Sequence, residues 1–196
     1  MRYDEDHKRK TREKVLDAAA RTIRAEGPDR VGVAAIMAEA GLTHGGFYAH
    51  FGSKDELVIE AIRQMFEEAG ERRRLSVDGK PPREGFRDYI RFYLSRSHRD
   101  GRGKGCPLAA LATDLPRLPL GARAVFGAGV ERLSGALGEM LAAIDWPEPE
   151  AAGAALLSEM VGAVSLARSV ADAEQSDRIL LTARNDILRR FGVEAD

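Results

Sequence analysis

Within twelve residues, Thr43, His44, Tyr48, His50 and Lys54 gather hydroxyls, imidazoles and an ammonium around the pair Gly45-Gly46. The Thr43 and Tyr48 hydroxyls can donate to phosphate oxygens, and Lys54 adds charge where a helix N-terminus already favours an anion. Each glycine costs roughly 1 kcal/mol of helix propensity relative to alanine, a penalty that makes sense where something must approach the backbone closely. In the major groove of a duplex, that something is a base edge or a phosphate.

The elements that would carry these groups are legible around them. Val33, Ile36 and Met37 face one way on a short helix, which Ala40-Gly41-Leu42 breaks, with Gly41 suited to the left-handed C′ position. Thr43 restarts the chain as an N-cap, and a second helix runs to His50. On it Phe47 and Phe51 lie one turn apart on a buried side, while His44, Tyr48 and the glycine pair face outward. Two short helices around a glycine turn are the layout of a DNA-reading helix-turn-helix. Upstream, Val15, Leu16, Ala19, Ala20 and Ile23 stripe a first helix from about Lys8 to Glu26, stopped by Gly27-Pro28. Downstream, Ser53 and Glu56 form a capping box, satisfying each other's backbone N–H groups. The long helix that follows buries Leu57, Val58, Ala61, Ile62, Met65 and Phe66.

Residues 76–83, with Gly79 and Pro81-Pro82, read as a linker. Beyond it Phe86, Tyr89, Ile90 and Tyr93 form a stripe, and residues 100–105 are a glycine-rich loop. Leu108, Leu111, Ala112 and Leu115 make a short helix, and Val130, Leu133, Leu137, Met140 and Ile144 a longer one up to Trp146-Pro147. Two more helices span about 150–173 and 176–191. With no alternating β-branched stretch and no repeat, the expected fold is all-α with about nine helices.

Composition bounds the function. The chain has 196 residues, 44% hydrophobic and 31% charged, and a net charge of -1, so any affinity for DNA must come from a local patch. From His7 to Lys54 there are nine Lys or Arg against five acids. Such a run is also what a solvated helix start looks like. No stretch of eighteen uncharged apolar residues and no apolar secretory core at the start are present, which sets the expectation of a cytoplasmic protein with no membrane partner. One cysteine among four scattered histidines offers no disulfide framework and no metal cluster, and no cofactor is expected. The 100–105 loop lacks the Ser or Thr after Lys104 and the leading strand that a phosphate-binding loop needs, so an enzyme is not expected.

Gly41-Leu42-Thr43, Phe47-Tyr48, His50-Phe51, Lys54 and Leu57 together resemble the signature of the TetR-type bacterial transcriptional regulators. The resemblance covers about fifty N-terminal residues; beyond them only length and helical content fit. It implies an N-terminal three-helix DNA-binding domain (8–54, recognition helix about 43–50), a connecting helix (55–75) and an effector-binding and dimerisation domain (84–192). It further implies a homodimer on a palindromic operator, a repressor released by a small-molecule effector. In that frame Thr43 and His44 sit at base edges and neighbouring phosphates, Tyr48 and His50 at phosphates, and Lys54 at the backbone. Val33, Gly45 and Gly46 complete the DNA-binding set. For Tyr48 a half-buried core role, and for His50 a structural one, stand beside these. Members of the family often carry Ser or Thr where this chain has Gly32-Val33. With few side chains at the glycine pair, specificity falls to His44, the arm 8–14 and DNA shape.

Two further expectations concern the C-terminal body. Residues 151–171 are apolar on more than one side and rich in Ala and Gly, and with the last helix they read as half of a four-helix bundle completed by a second copy. Leu156, Met160, Val164, Ile179, Ala183 and Ile187 are the candidate interface; a plain intrachain core is the alternative. Phe86, Tyr89, Tyr93, Leu111, Leu115, Phe126 and Met160, with Phe92, either line an apolar effector pocket or are simple core. Cys106 precedes Pro107, which suits N1 of a helix, so the thiol stands at a helix N-cap with Arg99, Arg102 and Lys104 near in sequence. It is either a nucleophilic thiolate that senses electrophiles, as a similar Gly-Cys-x-Leu element does in some TetR-type regulators, or a small buried hydrophobe. A DNA-binding architectural protein without effector is the rival reading; the roughly 120 residues beyond the first seventy favour regulation.

Overall fold

The structure, a computed structural model, describes residues 2–194. Helix α1 (Arg2–Glu26) starts ahead of Lys8, and the pairs Asp6–Arg9 and Arg9–Glu13, at helical spacing, support the added turns. It ends at Gly27, whose φ of +90° admits glycine readily, with the Gly27 N–H on the Ile23 carbonyl at 2.8 Å. Helix α2 (Val33–Glu39) closes on Gly41 at φ +74°. There the Leu42 N–H reaches the Met37 carbonyl at 2.8 Å and the Gly41 N–H the Ala38 carbonyl at 3.0 Å, which are the two bonds of a Schellman turn.

The next element departs from expectation. His44–Ala49 is a 3₁₀ helix, not an α-helix, with the His50 N–H on the Phe47 carbonyl at 2.9 Å. Two successive glycines weaken the α state, and six residues are too few for tertiary packing to restore it. Helix α3 (Lys54–Val77) begins at Ser53, whose hydroxyl accepts the Glu56 N–H at 3.1 Å. The reciprocal bond of the expected box goes elsewhere: the Glu56 carboxylate accepts from the Gly52 N–H at 2.8 Å.

Residues 78–81 turn the chain into α4 (Pro82–Tyr93), followed by α5 (Arg96–Asp100), a 3₁₀ turn (Arg102–Lys104), α6 (Pro107–Leu111) and a second 3₁₀ turn (Leu115–Arg117). The expected helix through Leu115 thus splits after Leu111, and Ala112 is exposed. Helices α7 (Leu120–Ala142), α8 (Pro149–Ser169) and α9 (Ala173–Arg190) complete an all-α fold with no strand among the described residues.

Helix α3 is shared by the whole molecule: it packs on α1, α4, α6 and α7. Its six expected apolar residues are all buried. Helix α8 lies between α7 and α9. By length and composition α8 is apolar enough to cross a membrane, but here it is a packed helix of the body. It meets α7 at glycines: a Cβ on Gly153 would lie 2.5 Å from the Gly138 nitrogen, so the two backbones touch. Phe86 and Trp146 both pack on Phe191, at 5.3 and 4.6 Å between ring centroids, tying α4 and the α7–α8 connection to the end of α9.

Candidate nucleic-acid interface

Two stacked rings hold the 3₁₀ helix to the body. Phe47 and Phe51 are both 1% exposed with centroids 5.7 Å apart, and each contributes about 1.5–3 kcal/mol by burial. Anchored on that side, the segment presents the other. Tyr48 is 72% exposed, edge-on to Phe47 at 5.2 Å. Thr43, His44 and Gly45 are exposed beside it. Thr43 stands at the N-cap position, yet its side chain caps nothing, which leaves the hydroxyl to an outside acceptor. A Cβ on Gly45 would meet nothing within 4 Å, whereas one on Gly46 would touch the Met37 side chain at 3.7 Å. Gly46 is therefore half turned towards α2.

His50 is placed differently from Tyr48. It follows the 3₁₀ helix as its C-cap. It is half-buried, its Nδ1 is buried without a partner, and its carbonyl accepts Arg12 Nε at 3.4 Å. Burial, and then the charges of Lys8, Arg12 and His7, lower its pKa, so it is neutral at neutral pH. Lys54 opens α3, and Val33 opens α2 behind Gly32, which offers no side-chain cap.

The basic patch is smaller than the sequence count. Arg12 is bonded to Glu60 and lies over the Phe51 ring at 4.7 Å; Arg21 pairs with Glu39 at 2.8 Å. Arg24, with a side chain only 1% exposed, donates to Glu68 at 2.7 Å and to the Gly103 carbonyl at 2.6 Å. These three arginines hold α1 to its neighbours. Lys10, Lys14, Arg30 and Lys54 make no ion pair among the described residues.

In the body, Tyr89, Tyr93 and Cys106 meet around one small cavity, together with Arg72, Phe92, His98 and Leu133. Phe86, Leu111, Leu115, Phe126 and Met160 do not line it. Phe86 belongs to the Phe191 cluster, Phe126 packs edge-on to Phe66 at 5.5 Å, and the other three are core. His98 was not foreseen, since only the folded chain brings it to Cys106. Its Nδ1–H donates to the Tyr93 carbonyl at 2.6 Å, and its Nε2 accepts the Cys106 N–H at 2.9 Å. Burial chiefly lowers its pKa, to about 4, which keeps it neutral, and the two hydrogen bonds fix that tautomer.

Cys106 is the N-cap of α6 as expected, but it is 4% exposed and α6 has only five residues. The cations near it in sequence do not face it. Arg99 is taken by Asp100, Asp177 and Ser176, and Arg102 and Lys104 point outward; Arg72 of α3 borders the cavity instead.

The candidate interface residues divide. Leu156, Met160, Val164 and Ile187 are at most 1% exposed inside one chain, buried by α8's packing on its own neighbours, so they have no surface to offer a second copy. Ile179 and Ala183 lie on an open groove between α8 and α9, beside Gly162, Leu166 and Thr182. Leu166 is 61% exposed.

Residues 15–61 match a family model described as bacterial regulatory proteins, tetR family. The HTH-type transcriptional regulator LmrA of Bacillus subtilis (strain 168) is 41% identical over 58 residues, 29% of this chain and 31% of that protein, so the chain matches under a third of the relative's length. Solved structures match nearly throughout. Escherichia coli NemR in its reduced form superposes with a TM-score of 0.80 at 18% identity, covering 92% of this chain and 96% of that one. SCO4454, a TetR-family transcriptional regulator from Streptomyces coelicolor, superposes at 0.72 with 26% identity, covering 92% and 95%. An Agrobacterium tumefaciens regulator of the same family gives 0.79 at 23% identity, covering 93% and 98%. With residues 15–61 matched by the family model and the fold shared with TetR-family structures over more than nine-tenths of the chain, the protein carries a DNA-binding helix-turn-helix of the tetR family of bacterial regulatory proteins on a body folded like theirs.

Proposed function

We propose that the protein is a repressor that binds a palindromic operator as a homodimer and lets go when a small hydrophobic or electrophilic effector enters the C-terminal body. The observation that carries the DNA side is the exposed donor face of Thr43, His44 and Tyr48, backed by two fully buried phenylalanines. Residues 8–54 act as the DNA-binding domain, 55–75 as the connection and 84–192 as the effector and dimer domain. Tyr48 and Thr43 donate to phosphates, His44 reads a base edge, and Val33, Gly45, Gly46 and Lys54 admit the backbone. His50 serves mainly to hold Arg12 and the helix in place.

Two copies join across the α8–α9 groove, a concavity of about 840 Å³ that carries exposed Leu166 with Ile179 and Ala183. A two-fold axis there sets two 3₁₀ helices towards successive major grooves, about 34–36 Å apart. The effector acts at Tyr89, Tyr93 and Cys106. From there the route to DNA is short: Cys106 is tied to His98, and two residues before Gly105 the Gly103 carbonyl holds Arg24 of α1.

Gel shift against the DNA upstream of the protein's own gene tests this reading. Specific binding weakens as salt rises, through counterion release. Tyr48→Phe weakens binding across all sequences, while His44→Ala relaxes preference at particular base positions. The reverse assignment of effects, or no specific complex at low salt, contradicts it.

A further inference from the structure

The Cys106 cavity has a larger neighbour. Between α3 and α7 lies an open cleft of about 530 Å³, bordered by Phe66, Gly70, Arg73, Gly129, Arg132 and Leu133. Leu133 also lines the inner cavity, so the two spaces share that side chain. Its walls join one aromatic ring to charged side chains and glycines. Arg132 lies over the Phe66 ring at 5.9 Å, a Cβ on Gly129 would collide with that ring at 2.4 Å, and neither Gly70 nor Gly135 presents any side chain.

Between the cleft and the cavity, three side-chain donors are buried without a partner. Tyr93 is 3% exposed and its Oη, beside the weakly accepting Cys106 thiol, has no well-formed hydrogen bond. Arg72 Nη2 and Arg73 Nε are likewise buried without an acceptor. The acceptors that stand nearby are already used: the Tyr93 carbonyl by His98 Nδ1–H, His98 Nε2 by the Cys106 N–H, and the Glu68 carboxylate, 3.7 Å from Arg72 Nη1, by Arg24. A guanidinium has donors only, and each buried donor left unmatched is costly. The complement is a ligand that brings oxygen acceptors and negative charge. Burial and the nearby Arg24 charge lower the pKa of Arg72, as an electropositive interior would.

We propose that cleft and cavity form one site for an aromatic carboxylate. The planar body lies over Gly70 and Gly135 beside Arg132, and Leu133 turns aside for the carboxylate to accept from Arg72, Arg73 and Tyr93, because the inner cavity, at about 10 Å³, is no larger than a water molecule. Glu67, Glu71 and Glu139 stand around the cleft and repel the carboxylate there, which fixes its inward direction. The inference rests on the reading of this body as an effector domain and names the effector's class.

Isothermal titration of the full chain with benzoate, 2-naphthoate and biphenyl-4-carboxylate tests it, with methyl 2-naphthoate as the uncharged comparison. At least one carboxylate gives a saturable isotherm, and the ester binds at least about tenfold more weakly than 2-naphthoate. Tyr93→Phe, which removes one hydroxyl from an otherwise unchanged ring, weakens binding about tenfold, and Arg72→Met by as much or more. Flat isotherms for all three acids overturn the proposal, as does an ester that binds equally well, or wild-type affinity in both variants. Gel shifts on the same preparations separate the two readings. Specific DNA binding with no carboxylate bound removes the ligand site alone. A bound carboxylate that leaves DNA affinity unchanged upholds the site and removes its regulatory role.

Discussion

Replacing Arg24 by methionine keeps most of the buried stem and removes the charge that joins α1 to the body. Arg24 makes two short charge-assisted bonds, to Glu68 at 2.7 Å and to the Gly103 carbonyl at 2.6 Å, from a side chain 1% exposed. Breaking a buried pair by removing one partner costs about 3–5 kcal/mol. Glu68 is one-third exposed and keeps Gln64 and Arg72 nearby, which puts the expected loss near the lower end, about 3 kcal/mol. For a chain of this size that is about 6–12 °C in melting temperature.

A pH dependence comes with it. Burial raises the Glu68 pKa, but the charge and hydrogen bond of Arg24, aided by Gln64 and Arg72, outweigh it and hold the carboxyl below its usual 4.5. A depressed carboxyl pKa gives stability that is present above the unfolded value and lost as pH falls through the folded one. The gap between wild type and Arg24→Met is therefore full at pH 7 and shrinks below about pH 4.5. Urea unfolding followed by circular dichroism, at pH 7 and pH 4, reads both effects. A difference under about 1 kcal/mol at pH 7, or one that widens on acidification, refutes this account of Arg24.

Three further outcomes follow from the packing. His98, neutral with a pKa near 4 against 6.5 when unfolded, contributes about 3 kcal/mol to the fall in wild-type stability between pH 6.5 and 4, a contribution that His98→Gln removes; equal pH profiles for the two proteins contradict the buried neutral imidazole. Gly153→Ala drives a Cβ to 2.5 Å from the Gly138 nitrogen, so thermal melts should show a loss of about 2 kcal/mol or more, and an unchanged melt contradicts the α7–α8 contact. Cys106, 4% exposed, reacts with iodoacetamide more slowly than a small free thiol at the same pH and reaches the free rate in urea; a native rate above that of the free thiol restores the exposed-thiolate reading.

Much of this fold is written locally in the chain. The burial of Val15, Ile23, Phe47, Phe51 and the α3 stripe follows from apolar spacing, and the Gly41 turn and Ser53 cap from single residues whose conformational roles are narrow. What the sequence hid depends on distant partners. Arg12, Arg21 and Arg24 count towards a local basic patch until Glu60, Glu39 and Glu68 arrive from elsewhere in the chain to take them. Helix α8 is apolar on several sides, so periodicity cannot say which of them faces its own chain; Leu156, Met160 and Val164 turn inward and Leu166 outward. The split of Phe86 from Tyr89 and Tyr93 has the same origin, since a helical stripe long enough to touch two neighbours serves both. The 3₁₀ form of His44–Ala49 was encoded in Gly45-Gly46, whose low α propensity is a local signal.

Hydroxyl-radical footprinting of the protein on its upstream DNA measures the central claim directly. A paired Thr43–His50 surface protects two patches on one face of the duplex, centred about one helical turn or a multiple of it apart. In a protein carrying both His44→Ala and Tyr48→Phe that protection fades while the helical content holds. A footprint that survives those two changes intact, or a single patch with no symmetric counterpart, contradicts it.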